Sequence, residues 1–333
     1  MRNLKKVFII AEIGSVHDGS FGNATKLIEA AAACGVDAVK FQTHIPEAET
    51  LPNAPMPPYF KGEPRFEYFR RTGFTLEQWK QLKQHCDEHD VTFLSSPFSE
   101  EAVDLLEKVG LSEYKIPSGE VTNLPMLEKI ARLGKPVILS SGMSSWDEID
   151  RAVEVIQKHD APLTVLQCTS EYPCPYEQVG LNVMREMAAR YNVPVGLSDH
   201  TLTNYAVFAA VTLGAVVVEK HFTFSRLMYG SDARHSLEPP EMIDLVQGVR
   251  AIERMLAADV EKRTEPYQAM KNIFEKSLVA EVDISAGAIL TRELVGIKKP
   301  GTGISAARLD EFIGRKIVRA IDAGNLLAEE DFY

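Results

Sequence analysis

The first repeat of the chain decides the fold: residues 7–13 read VFIIAEI, residues 24–34 read ATKLIEAAAAC, and residues 37–41 read DAVKF. The first and third stretches are short, apolar and rich in β-branched residues, as buried strands are. The middle stretch contains helix-forming residues and is followed by Gly35, a common helix terminator. This order predicts two parallel strands joined by a helix.

The same unit recurs along the chain, with predicted helices at residues 76–89 and 146–159, the latter capped by Ser144 or Ser145. Eight such repeats in about 250 residues predict a (β/α)8 TIM barrel rather than an open doubly wound sheet. The eight predicted strands are residues 7–13, 37–41, 91–95, 113–116, 136–140, 163–168, 194–197 and 216–220.

Composition changes beyond the barrel repeats. We expect the barrel to occupy residues 1–258, a polar linker residues 259–271, and a small β-rich domain residues 272–333. In the small domain, similar segments surround Gly287 and Gly324, which indicates an internal two-fold repeat. Within the barrel, residues 46–73 are rich in proline and aromatic side chains and are predicted to be a long functional loop.

Charge and composition exclude some function classes. The chain has 333 residues and a formal net charge of −11, which argues against nucleic acid or an anionic membrane as the main partner. The apolar run at residues 7–11 is too short for a signal peptide, and residues 205–218 are too few to span a bilayer. Four cysteines without CxxC spacing are typical of a reducing compartment, so we expect a cytoplasmic protein.

All eight predicted strands end in polar residues, although their bodies are apolar. Working residues of barrel enzymes stand at the carboxyl ends of the strands, so this pattern predicts one shared site. In chain order the ends carry Glu12; Lys40 and Gln42; Ser95 and Ser96; Lys115 and Ser118; Ser140 and Ser141; Thr169 and Ser170; Ser198, Asp199 and His200; and Glu219, Lys220 and His221.

Two histidines at neighbouring strand ends suggest a metal site. His200 follows the seventh strand and His221 ends the eighth, so both imidazoles can reach one ion. Strand alternation places Glu219 on the same face as His221, and Asp232 follows nearby in sequence. Imidazoles with carboxylates and water suit Mn²⁺, Mg²⁺ or Co²⁺. The alternative is that both histidines are hydrogen-bonded structural residues.

The remaining strand ends predict an anion site. Lys40 and Lys115 supply positive charge, while hydroxyls and backbone N–H groups donate hydrogen bonds to phosphate or carboxylate. Alternatively, the Ser-Gly pairs at Ser118 and Ser141 only link strand to helix. Glu12 has two possible roles: a general base or orienter of water, or a structural ion pair with Lys40.

Together these residues resemble the sialic acid (nonulosonic acid) synthase family, with motifs in the same order over nearly the whole chain. The resemblance implies that the small domain is the family's antifreeze-like (SAF, β-clip) domain. The matching segments are AEIG at 11–14 with His17 and Gly19, KFQ at 40–42, SPF at 96–98, YKI at 114–116, SGE at 118–120, SGM at 141–143, CT at 168–169, YP at 172–173, GLSDHT at 196–201, EKHF at 219–222, Asp232, SLE at 236–238 and KPGTGI at 299–304.

The resemblance implies a metal-dependent transferase that condenses phosphoenolpyruvate with the open-chain aldehyde of N-acetylmannosamine or a related acetamido sugar. It also implies a homodimer in which the small domain caps the partner's barrel with a basic residue, here Lys299. The implied catalytic residues are Glu12, His200 and His221, and the two histidines hold the metal, preferably Mn²⁺. The implied phosphoenolpyruvate site is Lys40, Ser96, Lys115, Ser118, Ser140, Ser170 and Ser198, and the implied sugar site is Gln42, Tyr172, Glu219, Asp232 and Lys299.

Four positions depart from the family pattern: Val16, Ser170, Ala233 and Lys299. Since the other anion and metal positions match, these departures bear mainly on the choice of sugar. Two other functions remain open. One is an aldolase-type barrel enzyme that forms a Schiff base through Lys115 or Lys220; the other is a glycan- or ice-binding protein with a non-catalytic barrel.

Overall fold

The computed structural model describes residues 6–55 and 63–333 and divides the chain into two compact units, Met1–Asp259 and Val260–Tyr333. Among the described residues, no helix combines the length and the apolar character needed to cross a membrane. The four cysteines are buried and unpaired.

The first unit contains eight parallel strands in the order β3-β2-β1-β8-β7-β6-β5-β4. β1 pairs with both β2 and β8, and β3 contacts β4, so the ring closes and the predicted (β/α)8 barrel is confirmed. The strands are β1 (Phe8–Gly14), β2 (Ala38–Thr43), β3 (Thr92–Pro97), β4 (Tyr114–Ile116), β5 (Val137–Ser140), β6 (Leu163–Cys168), β7 (Val195–Asp199) and β8 (Val217–His221).

Helices alternate with these strands around the outside of the barrel. They are α1 (Phe21–Ala33), α2 (Pro46–Glu49), α3 (Arg65–Thr72), α4 (Leu76–Glu88), α5 (Glu100–Val109), α6 (Leu124–Ala131), α7 (Trp146–Gln157), α8 (Leu181–Tyr191), α9 (Tyr205–Thr212) and α10 (Pro239–Ala257). Short 3₁₀ turns lie at Ser118–Glu120, Tyr176–Gln178 and Ala233–His235.

Capping residues fix where two of the predicted helices begin. α1 starts three residues earlier than predicted because the Ser20 hydroxyl accepts a hydrogen bond from the Asn23 N–H. α7 starts where predicted, after Ser145, whose N–H and hydroxyl both donate to Glu148.

The prediction of a long loop at residues 46–73 is wrong for part of that segment, and residues 56–62 of it lie outside the described residues. It contains the helices α2 and α3, and α3 buries Phe66, Tyr68 and Phe69. A helix forms here because aromatic side chains recur at helical spacing, a pattern that the neighbouring prolines obscured.

Strand alternation builds the barrel interior in layers. The inner apolar layer comes from six strands: Ile10, Ala38, Leu94, Ile138, Leu166 and Val217. Two residues further along the same strands stand Glu12, Lys40, Ser96, Ser140, Cys168 and Glu219, all buried. Because side chains two apart share a face, the apolar layer forms the floor beneath a ring of functional groups.

The second unit is a small β-rich domain. Its antiparallel strands β9 (Ser277–Ala280) and β10 (Val295–Lys298) pair, and its helices are α11 (Gln268–Phe274) and α12 (Leu309–Phe312), with 3₁₀ turns at Glu265–Tyr267, Arg292–Leu294, Ala306–Arg308 and Glu329–Asp331. The two copies of the predicted repeat bridge each other through Ile284 and Ile321. Gly287 and Gly324 adopt nearly the same backbone angle, φ 82° and 85°, as equivalent positions would.

Candidate active site

A cavity of about 370 Å³ lies at the carboxyl ends of the barrel strands. Thirteen of the fifteen predicted site residues line it: Glu12, Lys40, Gln42, Lys115, Ser118, Ser140, Ser170, Tyr172, Ser198, His200, Glu219, His221 and Asp232. Ser96 lies behind this lining and accepts a hydrogen bond of 3.2 Å from the Lys40 ammonium. The polar strand ends therefore converge on one site.

Glu12 and Lys40 form a buried ion pair on the floor of the cavity, with 2.7 Å between Glu12 Oε2 and Lys40 Nζ. Gln42 donates a hydrogen bond of 2.8 Å to the other oxygen of Glu12. Burial raises the pKa of Glu12 despite the opposing charge of Lys40. Both interpretations of Glu12 are therefore compatible with its position: it is ion-paired, and it is disposed to hold a proton.

A second ion pair joins Lys115 to Glu219, with 3.2 Å between Nζ and Oε1, and Ser198 donates to the same oxygen. Burial would raise the pKa of Glu219, but Lys115 and Lys40 outweigh it and lower this pKa to about 2. Burial lowers the pKa of Lys115, whereas Glu12 and Glu219 raise that of Lys40 against the effect of burial. Glu219 is thus the firmly ionised carboxylate of the site.

Hydroxyl groups line the same cavity as the two lysines. Ser118 and Ser170 lie 3.2 Å apart, oxygen to oxygen, and the buried Ser140 hydroxyl has no hydrogen-bond partner in the described part of the chain. Gly142, at φ +47°, allows this approach, because a Cβ there would lie 1.8 Å from the Cβ of Ser118. Hydroxyl donors that share a cavity with two ammonium groups are what an anion site requires.

His200 and His221 lie side by side, with ring centroids 5.5 Å apart, and Tyr172 stacks on His200 at 4.1 Å. His200 Nδ1 donates to the Thr169 carbonyl, which leaves Nε2 with a free lone pair. Burial and His221 lower the pKa of His200 to about 3, so its ring is neutral, as a metal ligand must be. The buried Nδ1 of His221 has no partner among the described residues, so both rings offer nitrogen atoms that fit a divalent ion.

Lys220 faces away from the cavity, as strand alternation predicts for the residue between Glu219 and His221. Its ammonium lies 2.5 Å from the Asp199 carboxylate and donates to Thr201, and the lysine and aspartate side chains are buried. Lys220 is therefore a structural residue rather than a nucleophile facing substrate.

Asp232 reaches the mouth from the segment after β8. A Cβ on Gly14 would lie 2.8 Å from its Oδ2 and 3.3 Å from Gln42 Nε2, so only glycine leaves these two groups room to approach. Lys299 belongs to the second unit, where its ammonium lies 4.9 Å from the centroid of the Phe274 ring. Its role at the sugar stays a prediction.

Sequence reasoning missed one side of the cavity. His44, Arg65, Phe69 and Phe98 line it, and the His44 ring is stacked between the two phenylalanine rings at 3.6 and 4.1 Å. Strand alternation could have found His44, because it continues the period-two series of Lys40 and Gln42 one residue past the end of β2. Arg65 and Phe69 lie in the segment mispredicted as a loop.

Comparisons with known proteins agree with this geometry. Residues 27–261 match the model of the NeuB family, and residues 275–332 match that of the SAF domain. The chain is 40% identical to N,N'-diacetyllegionaminic acid synthase of Campylobacter jejuni subsp. jejuni, over 98% of this chain and 100% of that protein. It is 34% identical to human N-acetylneuraminate-9-phosphate synthase, over 97% and 92% of the two chains.

Among solved structures, the chain resembles the N-acetylneuraminic acid synthetase of Leptospira borgpetersenii serovar Hardjo-bovis, which was crystallised with citrate. The TM-score is 0.71 at 29% identity, and the match covers 81% of this chain and 93% of that one.

Proposed function

The chain belongs to the NeuB family, and from that premise we propose that it is a nonulosonic acid synthase, a transferase that condenses phosphoenolpyruvate with an acetamido sugar aldehyde. The observation that carries the proposal is the cavity itself, in which two buried lysines and a set of hydroxyls share one space with His221 and with the neutral ring of His200. The lysines and hydroxyls fit an anion, and the two histidines fit an ion that would activate a carbonyl group.

In the proposed reaction, C3 of phosphoenolpyruvate forms a bond to the aldehyde carbon, and the aldehyde oxygen takes a proton to become a hydroxyl. Water then adds to C2. The bond between C2 and the bridging oxygen of the phosphate breaks, phosphate departs, and C2 becomes the keto carbon of a 2-keto acid. Lys40 and Lys115 would hold the carboxylate and phosphate of phosphoenolpyruvate, with the partnerless Ser140 hydroxyl as a further donor.

Glu12 is the proposed proton carrier of the reaction. Its buried carboxyl has a raised pKa, is ion-paired with Lys40 and shares the cavity with Lys115, so it would lie next to phosphoenolpyruvate held by the two lysines. A carboxyl whose pKa is shifted toward neutrality can accept a proton from water at one step and return it at another. Gln42, which donates to Glu12, would keep the carboxyl oriented.

The proposed metal ligands are His200 and His221, whose free nitrogen atoms fit Mn²⁺, Mg²⁺ or Co²⁺. Such an ion supplies Lewis-acid polarisation of the sugar aldehyde oxygen. The protein's own part is to keep the His200 ring neutral and fixed: burial lowers the pKa of His200, and Tyr172 packs against the face of this ring.

For the sugar, we propose a diacetamido-trideoxy compound of the legionaminic acid type. Gln42 and Asp232 would bind hydroxyl groups, while the stacked Phe69, His44 and Phe98 rings present an apolar wall. Acetamido methyl and deoxy-sugar methyl groups can pack on such rings, whereas a sugar phosphate cannot. The 40% identical relative from Campylobacter jejuni, named N,N'-diacetyllegionaminic acid synthase, supports this choice.

The proposal extends to assembly and compartment: a cytoplasmic homodimer in which the small domain, through Lys299, completes the partner's site. This part rests on the family resemblance. Lys299→Ala should then raise the KM for the sugar while size-exclusion chromatography still gives a dimer. A chain that elutes as a monomer with full activity would contradict it.

Phosphate release from phosphoenolpyruvate tests the function. N-acetylmannosamine, its 6-phosphate and 2,4-diacetamido-2,4,6-trideoxymannose are offered in turn, and the last should give the highest kcat/KM. Chelator and His221→Ala should each abolish phosphate release. Added Mn²⁺ should restore release in the chelated wild type but not in His221→Ala. His159→Ala, which changes a histidine beside Glu128 outside the cavity, serves as the control and should keep its activity.

Other outcomes of the same assay select the alternatives. Activity that resists chelator, with an adduct trapped by borohydride, would indicate a Schiff base on Lys115. No phosphate release with any sugar would instead favour a glycan- or ice-binding protein.

A further inference from the structure

A second group of metal-binding side chains lies outside the cavity, between helices α1 and α4. Glu29 projects from α1, His85 from the last turn of α4, and His89 is the residue that caps the end of α4. One ligand atom from each of the three residues lies within 4.8 Å of the other two. None of the three lines the cavity or takes part in the proposed reaction.

The distance between Glu29 and His85 suits a tetrahedral ion. His85 Nε2 and Glu29 Oε1 are 3.3 Å apart, which is about the edge of a tetrahedron whose metal–ligand bonds are ~2.0–2.1 Å long. The His85 and His89 rings, four residues apart on one helix face, have centroids 4.5 Å apart. Histidines at this spacing converge on a single point in front of the helix.

His89 is already oriented as a ligand. Its Nδ1 lies 2.8 Å from the His85 carbonyl oxygen, so Nδ1 donates and Nε2 keeps its lone pair. Metal-binding histidines are commonly held in this way by a backbone carbonyl. The site also lies at the carboxyl end of α4, where the helix dipole favours a positive charge.

We propose that Glu29, His85 and His89 bind a divalent transition ion of the zinc class that links α1 to α4. α4 runs into β3, so the end of α4 lies at the amino ends of the strands, opposite the cavity. Residues on that face of a barrel usually serve stability rather than chemistry. In chain order, β2 and the segment that carries Arg65 and Phe69 lie between the two helices that the ion would link.

Lys26 would compete with the ion for the carboxylate of Glu29. Its ammonium lies 2.7 and 3.0 Å from the two oxygens of Glu29. Because the Lys26 side chain is 66% exposed, it can turn into solvent when the ion binds. Removing it should therefore tighten binding, whereas a purely structural Glu29–His85 hydrogen bond predicts no such effect.

The test counts Zn²⁺ bound by the untagged, chelator-treated full chain in equilibrium dialysis. The His221→Ala variant is the background, because it removes the proposed site at the barrel mouth. In this background we expect one bound equivalent, lost in His221→Ala/His89→Ala and kept in His221→Ala/His159→Ala. Lys26→Met should lower the Kd, and Zn²⁺ should raise the Tm of the background but not that of the His89 variant.

Two results would overturn the proposal: no Zn²⁺ bound by His221→Ala, or equal binding with and without His89. Circular dichroism of each variant shows whether a loss of binding is a loss of fold. If His89→Ala proves unfolded, the milder His85→Gln variant in the same background must lose the bound equivalent. The assay uses no sugar or phosphoenolpyruvate, so its outcome is independent of the proposed reaction.

Discussion

The buried pair Lys220–Asp199 offers the sharpest test of how the site is built. Its atoms lie 2.5 Å apart, and the side chains are 2% and 1% exposed. Replacing Lys220 with methionine leaves the Asp199 carboxylate buried without its counter-ion. Breaking such a pair costs about 3–5 kcal/mol, which for a domain of this size lowers the Tm by roughly 6–20 °C.

Thermal unfolding by circular dichroism measures this loss. Lys26→Met is the matched control, because it breaks a short pair with Glu29, 2.7 Å between Nζ and Oε2, that lies at the surface. An exposed pair contributes about 0–1 kcal/mol, so the control should unfold near the wild-type temperature. Asp199→Asn/Lys220→Met should recover part of the lost stability, since a neutral amide at position 199 no longer needs a cation.

Activity at low temperature completes the test. Lys220→Met that is still folded should release phosphate from phosphoenolpyruvate, because the ammonium of Lys220 does not face the cavity. A Tm loss no larger than that of Lys26→Met would refute the structural role. Normal stability with loss of a borohydride-trapped adduct would instead make Lys220 a nucleophile.

Four further changes probe the cavity and its support. Glu12→Gln should lower kcat by about 10²–10⁴ without changing the circular dichroism spectrum, as loss of a proton carrier does. Gly142→Ala, which would place a Cβ 1.8 Å from Ser118 Cβ, should raise the KM for phosphoenolpyruvate. Arg65→Met should raise the KM for the sugar and leave that for phosphoenolpyruvate unchanged, since Arg65 lines the rim. Burial and His44 lower the pKa of His17 from 6.5 to about 4. As the pH falls, the unfolded chain therefore takes up a proton at this position before the folded protein does. The free energy of unfolding should decrease by about 3 kcal/mol between pH 6.5 and pH 4. His17→Asn should flatten this pH dependence, as measured by urea denaturation.

Period-two alternation explains why so much of the site was predictable. In a closed barrel every second residue points inward, so an apolar residue such as Ile10 and the polar Glu12 must stack along one line. The same rule separates His221, which lines the cavity, from Lys220, which does not. Position along a strand is thus enough to assign a side chain to the interior.

The rule fails where residues reach the site from outside the strands. Arg65 and Phe69 arrive on α3, whose aromatic spacing can predict a helix but whose placement beside the cavity depends on tertiary packing. Asp232 comes from an irregular segment after β8, so strand alternation does not place it, and its position beside Gly14 and Gln42 depends on the tertiary fold. The stacking of His44 between Phe69 and Phe98 likewise joins side chains from three separate segments, so no local stretch of sequence predicts it.

The charges of the cavity determine what must accompany the substrate. Lys40 and Lys115 already face Glu12 and Glu219 at 2.7 and 3.2 Å, so their charges are largely balanced before any anion binds. A phosphate and a carboxylate entering this layer would raise the pKa of Glu12 further, since like charges disfavour each other. Glu219, held ionised by both lysines, cannot relieve that repulsion, but Glu12 can do so by taking up a proton.

Substrate binding and proton uptake are therefore coupled through Glu12. The remaining negative charge of the bound substrate needs a cation whose protein ligands include no carboxylate. Imidazole ligands, which are uncharged when they hold a metal, meet this requirement, because an ion bound by His200 and His221 would keep its full positive charge for the ligand. Calorimetry of phosphoenolpyruvate binding in buffers of different ionisation enthalpy should thus show proton uptake in the wild type and none in Glu12→Gln. Equal uptake in both proteins would place the proton on another group and remove Glu12 from this role.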